Sequence, residues 1–191
     1  EEEAVSNGIT CFVDAGSTYR DLVKLFDIHK ENQGLLRKWF MVYEPLDTLV
    51  SNYFDYDKFQ IPMFWVGGIK SYADGALGSR GALLLEPYND APGYYGQSTL
   101  DLVKLQQFAR FAKEKNLQWC VHAIGDKANR EILDIMEEVV PDPKVLGSLR
   151  WRIEHAQNIH PADLPRFKKL GVIASMQGNH CTSDAPFVYP R

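Results

Sequence analysis

The sequence predicts an α/β fold built on a parallel sheet, from three observations. Apolar runs of strand length alternate with longer segments of helical period from one end of the 191 residues to the other. Proline and glycine punctuate the boundaries between them. The connections are also long enough for helical crossovers, which parallel neighbours require. No internal repeat, low-complexity tract or Ser/Gly linker divides residues 1–191, so they read as one unit.

The first strand is expected over 9–13, closed by Asp14-Ala15-Gly16, and a helix over 19–32 carries Leu22, Leu25, Phe26 and His29 at helical spacing. A second strand over 39–43 ends at Pro45, and a short stretch with Leu46, Leu49, Val50 and Tyr53 leads to Pro62. A third strand is expected over 63–73, with a lysine, Lys70, inside it. Residues 74–97 are glycine-rich and irregular, longer than the ~12–15 residues beyond which a loop in a compact domain is usually functional, so this loop is a candidate cover for a site. Ser98 and Asp101 have the spacing of a capping box, ahead of a helix to about residue 115 with Leu102, Leu105, Ala109 and Ala112 as its apolar stripe.

A fourth strand over 117–121 ends in His122, and Asp126 is expected to cap a helix that Pro141 stops. A fifth strand over 149–154 ends in His155. Pro161 fits a first helical position, Gly171 a helix end, and 172–176 a sixth strand.

The formal charge of −4 lacks the basic excess that phosphate-backbone binding requires, which argues against a nucleic-acid partner. No apolar stretch reaches the ~18–20 residues of a membrane span, and the acidic start at Glu1 is unlike a signal peptide. Cys11, Cys120 and Cys181 lie far apart, so neither a disulfide framework nor a cysteine zinc site is read from them. The compartment stays open. The opening without methionine fits a chain whose amino terminus has been removed.

In a barrel or an open parallel sheet, functional groups gather where the strands end and the βα loops meet. His122 and His155 each close a strand, and one crossover helix between those strands makes them neighbours. Two imidazoles converging from adjacent strands suit a zinc-like ion. Lys70 adds a polar group from an earlier strand; inside a barrel a lysine must lower its pKa, find a counter-charge or be modified, and otherwise it is a surface lysine on an edge strand. Strict alternation sets His155 with Ile153 and Arg152 with Glu154. Either two charges lie under the helices, where they pair with each other, or the strand twists or bulges before His155.

Four ordered motifs resemble the amidohydrolase superfamily. They are 68–82 (GIKSYADGALGSRGA), 121–129 (VHAIGDKAN), 152–157 (RIEHAQ) and 174–177 (ASMQ) followed by His180. More narrowly they look like its third subgroup of metal-dependent hydrolases, which includes exoenzyme-regulatory-protein-like sequences and N-substituted formamide deformylases. The resemblance implies a (β/α)8 barrel holding one or two divalent metals, zinc first among them. By motif, Lys70 matches the strand 4 lysine that is often carbamylated, His122 the strand 5 histidine and His155 the strand 6 histidine. His180 and Arg80 are the implied substrate contacts, although Arg80 also reads as a solvated loop residue.

Two departures matter. The five histidines include no His-x-His pair, the strand 1 signature of that superfamily, and Asp184 follows residue 176 by too few residues for the crossover of ~10–12 that a strand 8 aspartate needs. Residues 1–191 are therefore expected to be a partial TIM barrel of about strands 2 to 7, the central part of a longer protein, with two open sheet edges that leave self-association possible. The expected function is a fragment of a metal-dependent hydrolase acting on a small-molecule C–N bond other than a peptide bond through metal-activated water, inactive by itself. The alternative is a regulatory or binding protein that kept the barrel and lost the reaction. No GxSxG elbow, P-loop or GxGxxG supports other chemistry.

Overall fold

The computed structural model describes residues 1–32 and 34–191, with side chains except at 53–55. The chain forms two compact units, Glu1–Lys70 and Ser71–Arg191, with no linker composition at their boundary. That boundary falls inside a strand, which is why sequence composition does not mark it.

The first unit begins with a short helix, α1 (Glu2–Ser6), and strand β1 (Cys11–Ser17). Asp14-Ala15-Gly16 does not close this strand as expected; it makes a bulge within it. The register of β1 against β2 (Arg37–Val42) slips between Asp14 and Ser17. There the Asp14 carboxylate accepts from Gly16 N–H at 3.1 Å and from the Ser17 hydroxyl at 2.8 Å. Gly16 has φ 148°, a conformation open to glycine alone.

Helix α2 (Tyr19–Asn32) follows the predicted span. Helix α3 (Leu46–Tyr56) and a 3-10 turn (Asp57–Phe59) lead to β3 (Phe64–Tyr72), which pairs parallel with β2. The side chain of Tyr53 in the predicted stripe lies outside the described residues. Aromatic side chains dominate this core: Phe40 and Phe64 pack tilted at 31° with centroids 4.5 Å apart, and Phe26 meets Phe59 edge-on at 5.1 Å. Such pairs add to area burial and set how α2 seats on the strands.

The second unit takes the end of β3 and adds β4 (Gln118–Ala123), β5 (Arg152–His155) and β6 (Ile173–Ser175). Ala73 N–H donates to the His122 carbonyl at 2.9 Å, and β4, β5 and β6 pair in parallel. Strands are neighbours in chain order throughout. An order without reversal is that of a singly wound barrel, whereas an open doubly wound sheet switches direction.

Helix α4 (Leu102–Glu114) is capped by Asp101, whose carboxylate accepts from Lys104 N–H at 2.7 Å. Ser98 is therefore not part of a capping box, and its hydroxyl goes to the Ala73 carbonyl. Helix α5 (Asp126–Val139) starts one residue before the expected cap allows. Asp126 is already helical and turns its carboxylate to Leu85 N–H and Lys127 N–H, both at 2.9 Å.

Helix α6 (Pro143–Leu149), which periodicity alone does not set apart from the fifth strand, has Asp142 as its cap and ends on Arg150 at φ 54°. Proline at its first turn and this left-handed exit confine β5 to four residues. Helix α7 (Leu164–Leu170) uses Pro165, not Pro161, in its first turn and stops at Gly171, φ 69°. The chain finishes with α8 (His180–Ser183) and α9 (Ala185–Val188). Among the described residues no helix is long and apolar enough to cross a membrane.

The irregular segment 74–97 has a core of its own. Leu77, Ala82 and Tyr88 pack with Ile124, and the Tyr88 hydroxyl donates to the Ala82 carbonyl at 2.9 Å. Burial of that hydroxyl pushes its pKa up to about 12. The segment is thus a fixed wall seated on the loop after β4.

Candidate active site

The site is built from the strand ends of the second unit. His122 is the penultimate residue of β4 and His155 the last of β5. In register, Ala123 faces His155 and His122 faces Glu154. Parallel partners in register point to the same side of a sheet, so a regular β5 would set His155 on the side opposite His122. The rings nonetheless lie 4.6 Å apart between centroids, inclined at 71°.

The backbone explains it. His155 has φ 72° and Ala156 φ 43°, so the chain turns left-handed at the strand end and swings the imidazole across. This resolves the parity problem of the sequence: the break occurs at His155 itself. Arg152 and Glu154 stay together as an ion pair at 2.5 Å between Nε and Oε1, beneath the sheet end.

Each imidazole has a second partner. His155 Nδ1 is 2.7 Å from Gln177 Oε1, an acceptor, so Nδ1 carries the proton and donates. Gln177 Nε2 donates to the Ser175 carbonyl at 3.3 Å, which fixes the amide orientation. That tautomer makes Nε2 the atom of the His155 ring that carries the lone pair. His122 Nε2 lies 3.5 Å from Asp74 Oδ1.

Asp74 is 1% exposed and braces the strand ends. Its carboxylate accepts from Ile124, Leu83 and Gly125 N–H at 3.0, 2.9 and 2.8 Å. Burial pushes its pKa up to about 6, against the lowering effect of those three donors. One side chain thereby ties the end of β3, segment 74–97 and the loop after β4 to the His122 ring.

His180 stands beside His155, with ring centroids 5.9 Å apart. Its Nδ1 donates to Asp184 Oδ2 at 2.7 Å, and the same oxygen accepts from Gln157 Nε2 at 2.8 Å. Asp184 lies between α8 and α9, not on a strand. A hydrogen bond from the Ser183 hydroxyl, with those from His180 and Gln157, outweighs desolvation and holds its carboxyl below the usual carboxylate range. His155, His180, Gln157 and Gln177 line one open cleft.

Of the residues singled out in sequence, the structure brings together His122, His155 and His180. Lys70 is the last residue of the first unit, 3% exposed, with its Cγ 3.7 Å from where a Cβ at Gly16 would sit. Arg80 is engaged within its own loop: Nε and Nη2 donate to the two Asp90 oxygens at 3.0 and 2.8 Å, and Arg191 joins the same carboxylate. Among the described residues no three His, Cys, Asp or Glu side chains group as a ready metal cage. The adjacent imidazoles, one with its tautomer set by Gln177, are the donor chemistry that suits a zinc-like ion as part of such a set.

Asp74, Gln157, Gln177 and Asp184 were not singled out as site residues. The sequence signal for the first three was their place inside the quoted motifs, each at or just past a strand end.

A model of the Amidohydrolase family matches residues 2–190. The chain belongs to the amidohydrolase family. This bears out the family read from the motifs, and the parallel strands in chain order are a partial TIM barrel.

Among curated proteins, the chain is 44% identical over 124 residues to Protein LONG AFTER FAR-RED 3 of Arabidopsis thaliana, covering 65% of this chain and 21% of that protein. It is 35% identical over 135 residues to the putative amidohydrolase YtcJ of Bacillus subtilis strain 168, covering 71% and 25%. Among solved structures, an uncharacterized metal-dependent hydrolase from Pyrococcus horikoshii OT3 superposes with a TM-score of 0.82 at 31% identity, over 100% of this chain and 37% of that one. Another from Pyrococcus furiosus gives 0.79 at 32% identity, over 96% and 37%. The matches thus span about a fifth to a quarter of the curated relatives and 37% of each solved chain.

Proposed function

We propose that this chain supplies the central strands, about 2 to 7, of a metal-dependent hydrolase that cleaves a C–N bond other than a peptide bond in a small-molecule substrate. The observation that carries the reading is the meeting of His122 and His155 at adjacent strand ends, 4.6 Å apart, through a left-handed backbone that a merely structural strand end does not need. The family membership and the metal-dependent hydrolases among its structural neighbours support it.

In this reading His122 and His155 hold a divalent ion, zinc in the first instance, and Lys70 contributes by its motif, as itself or carbamylated. Bound there, such an ion polarises the substrate carbonyl and lowers the pKa of water to about 7. Gln177 keeps His155 in the Nδ1–H tautomer, and Asp74 braces the loop behind His122. His180 meets the substrate from the cleft.

The 191 residues contain no His-x-His pair, so the chain alone is proposed to lack turnover. The test is hydrolysis of a panel of formamides and acyl amides by the longer protein, before and after chelation. The reading expects chelator-sensitive turnover that zinc restores and that His122→Ala and His155→Ala each abolish. A chelator-insensitive hydrolase would overturn it, and so would zinc binding without turnover of any amide, the outcome expected of a catalytically silent barrel.

A further inference from the structure

Resting on that reading, we propose that His180 Nε2 accepts a hydrogen bond from an N–H of the substrate, so that the cleft selects primary and secondary amides over amides with no hydrogen on nitrogen. The proposal starts from the fixed tautomer. A carboxylate only accepts, so the 2.7 Å contact between His180 Nδ1 and Asp184 Oδ2 makes Nδ1 the donor, and Nε2 of the neutral ring is then an acceptor.

Asp184 is itself anchored from two sides. Gln157, just past the end of β5, donates to Oδ2 at 2.8 Å, and Ser183 donates to Oδ1 at 2.7 Å. Through Asp184, the residue that caps its own short helix, the ring is tied to Gln157 on a separate element. His180 is 28% exposed at its side chain and lines the cleft with His155, Gln157, Asn158, Met176 and Gln177.

Position does the rest. With Nδ1 taken by Asp184, Nε2 is the ring nitrogen left to meet a ligand in the cleft that His180 lines, next to His155 at 5.9 Å between centroids. A substrate carbonyl addressed at His155 puts its amide nitrogen on the neighbouring side, within reach of His180. A site built to accept an N–H leaves a polar group unpaired when the analogue lacks that hydrogen, and so discriminates against it. Asp184 and Gln157 are positioning residues in this scheme; neither is required to touch substrate.

The experiment uses the 191-residue chain labelled with 15N-histidine at pH 8, titrated with N-methylacetamide and with N,N-dimethylacetamide. The proposal expects His180 as the Nδ1–H tautomer, with an Nε2 resonance that responds at least about threefold more to the N–H amide. Asp184→Ala is expected to mix the tautomers and shrink that difference, while Asp184→Asn, which keeps an acceptor for Nδ1–H, retains most of it. An Nε2–H tautomer, equal responses to the two amides, or no response to either overturns the proposal. The metal plays no part in this titration, so its failure is distinguishable from failure of zinc binding or of hydrolysis.

Discussion

The rings of His122 and His155 lie 4.6 Å apart although the pairing of β4 with β5 assigns these two residues to opposite faces of the sheet. The left-handed conformation of His155 and Ala156 reconciles the two facts. For residues other than glycine such a conformation costs roughly 1–2 kcal/mol each, so the surrounding structure holds it in place.

Ala156 tests this geometry directly. It is fully buried at φ 43°. Ala156→Gly removes a methyl group but relieves the backbone, and stability should stay within about 1 kcal/mol of wild type. Ala156→Val puts a β-branched side chain where it is least tolerated and should cost more than about 2 kcal/mol. Urea unfolding of both variants is the check; in a regular strand Ala156→Gly would instead lose the buried methyl group and backbone rigidity together and cost well over about 1 kcal/mol.

Asp74→Ala leaves three buried N–H groups, those of Leu83, Ile124 and Gly125, without their acceptor. At about 1–3 kcal/mol for each unsatisfied group, partly relieved by water, the expected loss is about 3 kcal/mol or more. Amide exchange at those three positions should accelerate while exchange in α7 stays slow. Uniform acceleration across the second unit would show that Asp74 is not a local brace.

A methyl group at Gly125 would sit 1.9 Å from the Leu83 carbonyl oxygen, a backbone atom that cannot swing away. Gly125→Ala must therefore push segment 74–97 off the loop after β4, and an overpacking cost of about 3 kcal/mol is expected. Amide exchange at Leu84 and Tyr88, whose N–H groups donate to the Tyr95 and Tyr94 carbonyls within the segment, reports the displacement. Unchanged stability and exchange would mean the segment is more loosely seated than described.

Asp163 supplies a pH dependence. Burial raises its carboxyl, but hydrogen bonds from Arg166 and Arg130 and their charges outweigh it, and its pKa falls below the ordinary 3.8. A carboxyl lowered on folding stabilises the native state above its unfolded pKa, and that contribution is lost as pH falls through the folded value. Asp163→Asn should cost about 1–2 kcal/mol at pH 7, and the gap between the two proteins should narrow as the medium is acidified through the lowered pKa of Asp163. A gap independent of pH would assign the effect to packing.

The parallel α/β class and the long helices were legible because periodicity reports burial, and α2 kept its predicted ends to the residue. Short elements were not. Helix α6 is seven residues long and carries too little period to stand apart from the strand after it. In sequence the bulge at Asp14-Ala15-Gly16 looks like a strand end, because a turn and a bulge use the same residues. Two histidines of the site were legible from their strand-end positions, but the residues that orient them depend on tertiary hydrogen bonds. Gln177 acts on His155 from 22 residues along the chain, and Gln157 anchors Asp184, the partner of His180, from 27 residues away, and no local pattern announces either.

Zinc titration of the chain labelled with 15N-histidine tests the central claim most directly. The account predicts that the His122 and His155 ring nitrogens shift together, through His155 Nε2 and not Nδ1, and that either His→Ala substitution weakens zinc binding by 10-fold or more. Zinc that leaves both rings unmoved, or that shifts His29 or His160 in their place, would contradict it.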